Sequence, residues 1–157
     1  MTGILFVCAG NTCRSPMAEG VLRHLLEARG LSGRATVDSA GTHARRAGRP
    51  PDPRAQQVAA EHGIDLSGLR ARAVAPEDFA RFDRALAMDR QNLAYLERMR
   101  PEGAACRLDL MLSFAPGATG DDVSDPYSGG PDDYRAAFAL IRRAAEGLLV
   151  EIERQYS

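Results

Sequence analysis

Alternation of short apolar runs with longer amphipathic stretches predicts an α/β domain built on a parallel sheet, and two local observations support it. Residues 4–7 are apolar without interruption, as expected of a strand buried on both faces of such a sheet. They run straight into a glycine-containing segment, 8–14, and then into Ser15-Pro16, with proline where the first turn of a helix tolerates its missing N–H. Strand, loop and helix in that order put the loop at the carboxyl end of the first strand, where open α/β sheets hold their ligands.

The remaining elements follow in turn. Met17, Val21, Leu22, Leu25 and Leu26 give the first helix a broad apolar face, and Gly30 ends it. Residues 35–39 read as a second strand, and a loop rich in Gly, Pro and Arg covers 41–53. A helix is expected over 53–62, closed by Gly63, then a strand over 82–88, a helix over 90–99 and a strand over 107–112. Residues 115–131 read as a long loop. In the last helix Tyr134, Phe138, Ile141, Ala145, Leu148 and Ile152 recur at three- and four-residue spacing. No repeat or low-complexity segment interrupts this order, and residues 1–157 fit a single domain.

Composition excludes several classes. The net charge of -1 gives no global pull toward nucleic acid or an anionic membrane, so neither is expected as a partner. All 20 basic residues are Arg, which needs no functional explanation. No apolar stretch approaches the ~20 residues of a membrane helix, and the first residues lack the basic region of a signal peptide. A cytoplasmic protein is expected. Three cysteines, an odd number, argue against a disulfide framework and turn attention to reactivity. The three His are scattered, with no close Cys pair outside the loop, so neither a metal nor another cofactor is expected.

The chemistry concentrates in C-A-G-N-T-C-R-S, residues 8–15. Five residues between Cys8 and Arg14 suffice to wrap one tetrahedral oxyanion, with the amides of Ala9, Gly10, Asn11, Thr12 and Cys13 turned inward and a helix dipole behind them. Gly10 permits unusual dihedrals, and Asn11 is among the few other residues that tolerate the left-handed region. Arg14 can hold two phosphate oxygens at once, which Lys cannot. The same field favours the thiolate of Cys8, and Ser15 can donate a hydrogen bond to it and ease its departure as a leaving group. A bare Cys-x5-Arg also describes a buried structural cysteine beside an N-capping serine; the strand before, the helix after and Gly-Asn within select the phosphate-binding reading.

V-C-A-G-N-T-C-R-S-P-M-A-E resembles the signature of the low-molecular-weight protein tyrosine phosphatases, and the resemblance spans nearly the whole chain. D-S-A-G-T from Asp38, P-D-P-R-A from Pro51, H-G-I from His62, M-D at Met88 and D-P-Y from Asp125 follow in the family's order. The resemblance implies a four-stranded parallel sheet with helices on both faces. It implies a metal-free mechanism in which Cys8 attacks phosphorus, Arg14 grips the phosphate and Asp125 protonates the leaving oxygen, then activates the water that hydrolyses phosphocysteine. The implied substrate is a phosphorylated protein or peptide, and inorganic phosphate is the product.

Further roles come with the resemblance, each beside a plainer reading. Asp125-Pro126 is otherwise an ordinary turn. Tyr127 forms an aromatic wall of the cleft, although Ser128 stands where many relatives carry a second Tyr. Asn11, Ser39 and His62 join Ser15 in a network supporting the loop; His62 otherwise reads as a cation at a helix C-terminus. Cys13 can pair with Cys8 on oxidation and protect it, or is only a small core side chain. Cys106 reads as core, His24 and His43 as surface. Where tyrosine-directed relatives often present a large aromatic at the rim, this chain has Arg45 and Arg46, which either attract acidic substrate flanks or point into solvent.

Three rival functions follow. Arsenate reductases share the fold and the loop but need two further cysteines near mid-chain, where residues 88–92 have none. Protein-arginine phosphatases carry Thr in the loop, as Thr12 does here, and its hydroxyl suits a phosphoguanidinium. A non-catalytic phosphate-binding module is opposed by the intact set of Cys8, Arg14 and Asp125.

Overall fold

The computed structural model describes residues 1–117 and 121–156. Four parallel strands, β1 (Thr2–Cys8), β2 (Ala35–Gly41), β3 (Arg84–Ala87) and β4 (Arg107–Leu110), form one sheet in the order β2-β1-β3-β4. The helices are α1 (Arg14–Ala28), α2 (Pro53–Ala60), the short α3 (Asp78–Arg81), α4 (Arg90–Met99) and α5 (Pro131–Gln155). From β1 the chain passes first to one side of the sheet and then to the other, so the order reverses at β1 and opens a crevice at its carboxyl end.

The two faces of β1 explain its uninterrupted apolar run. Ile4, Phe6 and Cys8 belong to the larger core, shared with Met17, Leu22, Tyr134, Phe138 and Ile141 of α1 and α5. Leu5 and Val7, pointing the other way, pack with Phe79, Phe82 and Leu96 around α3 and α4. Both sets are essentially fully buried, which places β1 at the centre of two cores and fixes Cys8 at its end.

Several expected boundaries move. α1 begins at Arg14, with Pro16 in its first turn, and β2 continues two residues beyond the expected 39. α2 stops at Ala60, and Gly63 closes the turn after it at φ 75°, a left-handed value that costs glycine nothing. β3 is confined to 84–87 by its four-residue ladder with β4, and the second half of the expected 107–112 strand is instead a 3₁₀ turn, Met111–Phe114. The 3₁₀ turn Ser32–Arg34 and helix α3 carried no clear signal in the sequence. The expected loop over 115–131 includes residues 118–120, which lie outside the described residues.

Candidate active site

The segment 8–14 wraps at the carboxyl end of β1 and feeds directly into α1. No side chain caps the amides at the start of α1, and its first turn carries no acidic residue, so its positive end stays available to an anion. The one non-glycine residue with positive φ among the described residues is Asn11, at 56°; Gly10 does not take the left-handed region. A short polar side chain that bonds locally tolerates this conformation.

Asn11 is buried, and its amide orders the hydrogens around Cys8. Its Oδ1 accepts the backbone N–H of Arg72 at 2.9 Å, so its Nδ2 must face the hydroxyls. Nδ2 donates to Ser15 Oγ at 2.8 Å and Ser39 Oγ at 3.0 Å. Ser39 spends its own proton on Glu19 Oε1 at 2.7 Å. Ser15 Oγ, already accepting from Asn11, is left to donate to Cys8 Sγ at 2.9 Å. The backbone N–H of Asn11 also reaches Cys8 Sγ at 3.3 Å. Burial pushes the Glu19 carboxyl above its ordinary range, while Ser39 and Arg23, 2.6 Å away, partly restore the charged form.

Arg14 is buried, with its guanidinium bridging two loops. Nη1 donates to Asp89 Oδ2 and to Val123 O, both at 2.8 Å. Asp89 caps α4 through Asn92 N with its other oxygen, and Val123 N donates to Met88 O at 2.8 Å. The segment bearing Asp125 is thereby tied to the end of β3. Asp125 Oδ1 accepts Tyr127 N at 3.1 Å, and Oδ2 lies 3.8 Å from Arg14 Nη2. The half-exposed carboxyl therefore stands at the mouth of the site while Cys8 lies at its floor.

A cleft of about 610 Å³ opens over these groups, walled by Thr12, His43, Arg45, Arg46, Asp125 and Tyr127 above Cys8 and Arg14. Tyr127 is held from two sides: Arg46 Nη2 donates to its hydroxyl at 3.2 Å with the guanidinium 5.9 Å from the ring centre, and Arg54 lies 5.5 Å from that centre. Arg54 is itself paired to Asp52 at 3.0 Å. Arg45 and Arg46 thus line the cleft. The segment that carries them leaves β2 at Gly41, where a Cβ would lie 2.6 Å from Ala9 O. Only glycine allows the backbone bonds that follow, Thr42 N to Cys8 O at 2.9 Å and His43 N to Ala9 O at 2.8 Å.

One expected residue lies elsewhere. His62 does not join the network around Asn11; it is exposed and stacks on Phe138 with ring centres 4.4 Å apart. It sits beyond the end of α2, on the α5 side, and the Arg72 backbone N–H binds the Asn11 side chain's oxygen. His43, expected only as a surface residue, is exposed but belongs to the cleft wall, its ring 5.4 Å from that of Tyr95. Cys13 is buried with its thiol 3.3 Å from the Tyr134 hydroxyl, and burial raises its pKa. Cys8, Cys13 and Cys106 are all free thiols, and Cys106 is core as expected. Asp89, Glu19 and Arg72 are supporting residues to which the sequence assigned no role; an Asp directly before an expected helix was the available signal for Asp89. Among the described residues no group of three or more His, Cys, Asp or Glu is placed to hold a metal ion, and no helix is long and apolar enough to cross a membrane.

The family model described as low molecular weight phosphotyrosine protein phosphatase matches residues 3–157. A low molecular weight phosphotyrosine protein phosphatase of Schizosaccharomyces pombe is 43% identical over 150 residues, 95% of this chain and 96% of the relative. The crystal structure of a protein tyrosine phosphatase from Entamoeba histolytica superposes with a TM-score of 0.93 at 31% identity over 100% of both chains. That of a Drosophila arginine phosphatase gives 0.89 at 36% identity over 96% of this chain and 98% of the other. The chain belongs to the low-molecular-weight phosphotyrosine protein phosphatase family.

Proposed function

We infer that the protein is a protein-tyrosine phosphatase that hydrolyses phosphotyrosine in proteins or peptides through a phosphocysteine intermediate. The observation that carries this reading is the position of Cys8 Sγ, at the cleft floor within 2.9 Å of Ser15 Oγ and 3.3 Å of Asn11 N, with the Asp125 carboxyl at the mouth. In the first step the Cys8 sulfur forms a bond to phosphorus as the P–O bond to the tyrosyl oxygen breaks, and Asp125 gives that oxygen its proton. Loop amides and Arg14 hold the three phosphoryl oxygens and stabilise the charge spread over them in the transition state. In the second step Asp125 takes a proton from water, the water oxygen bonds to phosphorus, and Cys8 leaves as thiolate, stabilised by the Ser15 hydrogen. The product is inorganic phosphate. A cytoplasmic location is part of this reading and rests on cysteine usage alone.

Cys8→Ser should abolish turnover of phosphotyrosine peptides while inorganic phosphate still binds, because the amides and Arg14 remain. Turnover above trace levels in that variant would remove Cys8 from its role. A second reading, phosphoarginine hydrolysis, is favoured by Thr12 in the cleft wall and by the likeness to the Drosophila arginine phosphatase. Side-by-side kcat/KM on phosphotyrosine and phosphoarginine peptides separates the two.

A further inference from the structure

The cleft has a charge asymmetry that catalysis does not use. Every other strongly charged side chain around it has a partner. Arg14 bonds Asp89, Arg54 pairs with Asp52, and Arg46 is committed to the Tyr127 hydroxyl and ring. Asp125 is held by the Tyr127 amide beside Arg14. Arg45 is different: it lines the cleft, it is exposed, and its side chain makes no hydrogen bond or ion pair among the described residues. Its backbone N–H bonds His43 O at 2.8 Å, which fixes a tight turn at the rim. That turn hangs from the Gly41 junction, so the cation is carried on backbone bonded to the nucleophile's own loop.

Depth separates its role from phosphate binding. Cys8 and Arg14 are both 2% exposed and take the phosphoryl group at the floor. A rim guanidinium on an exposed turn meets the residues on either side of the phosphorylated one. We propose that Arg45 is a specificity-determining residue that selects substrates with Asp or Glu next to the phosphotyrosine, with Arg46 acting as the brace of the Tyr127 wall. The proposal rests on the phosphotyrosine reading above. Arg suits this role because its planar fork takes a carboxylate through two parallel hydrogen bonds.

The test compares kcat/KM for phosphotyrosine peptides whose neighbouring residues are Glu, Gln or Lys. Each value is normalised to p-nitrophenyl phosphate turnover by the same variant. Wild type should prefer Glu over Gln by about two- to fivefold per acidic residue, the range of solvent-exposed ion pairs. The preference should shrink in 0.5 M salt, because screening acts within ~10 Å already at 0.1 M. Arg45→Ala should bring the Glu/Gln ratio close to one, and Arg45→Glu should turn the preference toward Lys. A flat ratio in wild type, or one that both variants leave unchanged, overturns this proposal alone when phosphotyrosine turnover is brisk. Turnover of phosphoarginine peptides without any of phosphotyrosine peptides would overturn the phosphotyrosine reading and this proposal together.

Discussion

Replacing Asn11 by glycine tests the support of the phosphate loop most directly. Glycine accepts φ 56° without strain, so the change removes the side chain and leaves the backbone free to keep its path. The amide's bonds to Ser15, Ser39 and Arg72 all go, inside a site where Asn11 is 2% exposed. At about 0.5–1.5 kcal/mol each, the three together contribute roughly 2–4 kcal/mol. A chain of this size shifts by ~2–4 °C per kcal/mol, so the melting temperature should fall by about 5–15 °C. Activity should fall as well, because Ser15 loses the partner that directs its hydrogen to Cys8. A hydrogen bond to a charged group is worth about 1.5–3 kcal/mol, which corresponds to a roughly ten- to hundredfold drop in kcat/KM on p-nitrophenyl phosphate. Asn11→Ala separates the backbone from the side chain. It adds a left-handed cost of about 1–2 kcal/mol, partly offset by the ~0.5–1 kcal/mol of chain entropy that glycine loses on folding. The alanine variant should therefore melt at or slightly below the glycine variant. Thermal melts and initial rates on both variants decide it: a glycine variant that melts within a degree or two of wild type and turns over normally would refute the network's role.

Asp125→Asn should slow phosphate esters with poor leaving groups by about 10²- to 10⁴-fold, and p-nitrophenyl phosphate far less; equal slowing across a leaving-group series points to another acid. Glu19 has a raised pKa in the folded state, so folding binds its proton more tightly than the unfolded chain does. The stability it lends is complete below its unfolded value near 4.5 and is lost as pH rises through the raised folded value, so Glu19→Gln should flatten that part of the denaturant-midpoint profile; a parallel profile sinks the assignment. Mild peroxide should inactivate reversibly through a Cys8–Cys13 disulfide, and Cys13→Ser should make the loss harder to reverse; sulfinic or sulfonic Cys8 as the sole product in the parent protein, by mass spectrometry, counts against that protection.

What the sequence disclosed and what it withheld divide along a physical line. Residues 4–7 and the Pro and Gly punctuation around them act locally, so β1, the connection after it and the start of α1 could be read directly. The signature around Cys8 and the separate D-P-Y motif pointed to Arg14, Ser15 and Asp125, and the structure gathers all three around Cys8. Asp89 stands in the M-D motif and before an expected helix, but its pairing with Arg14 gave no signal, since the two are 75 positions apart and only the β1-β3 ladder brings them together. Arg72 contributes a backbone N–H, and no side-chain pattern announces that. His62 shows the converse error: a histidine within a matching motif was assigned to the network, but a stacking surface on Phe138 claims it. The 3₁₀ turn at Met111–Phe114 reads as strand by hydrophobicity alone, yet β3 offers ladder partners only as far as Leu110.

The Gly41 junction has a consequence for engineering. Because Thr42 and His43 bond the backbone of Cys8 and Ala9, the rim is built as an extension of the Cys8 loop. On that frame Arg45 is the position open to exchange, whereas Arg46 is tied to the Tyr127 wall. On the reading proposed for Arg45, a change of flank preference needs that side chain alone, whereas a bulkier residue at position 41 would drive the frame into Ala9.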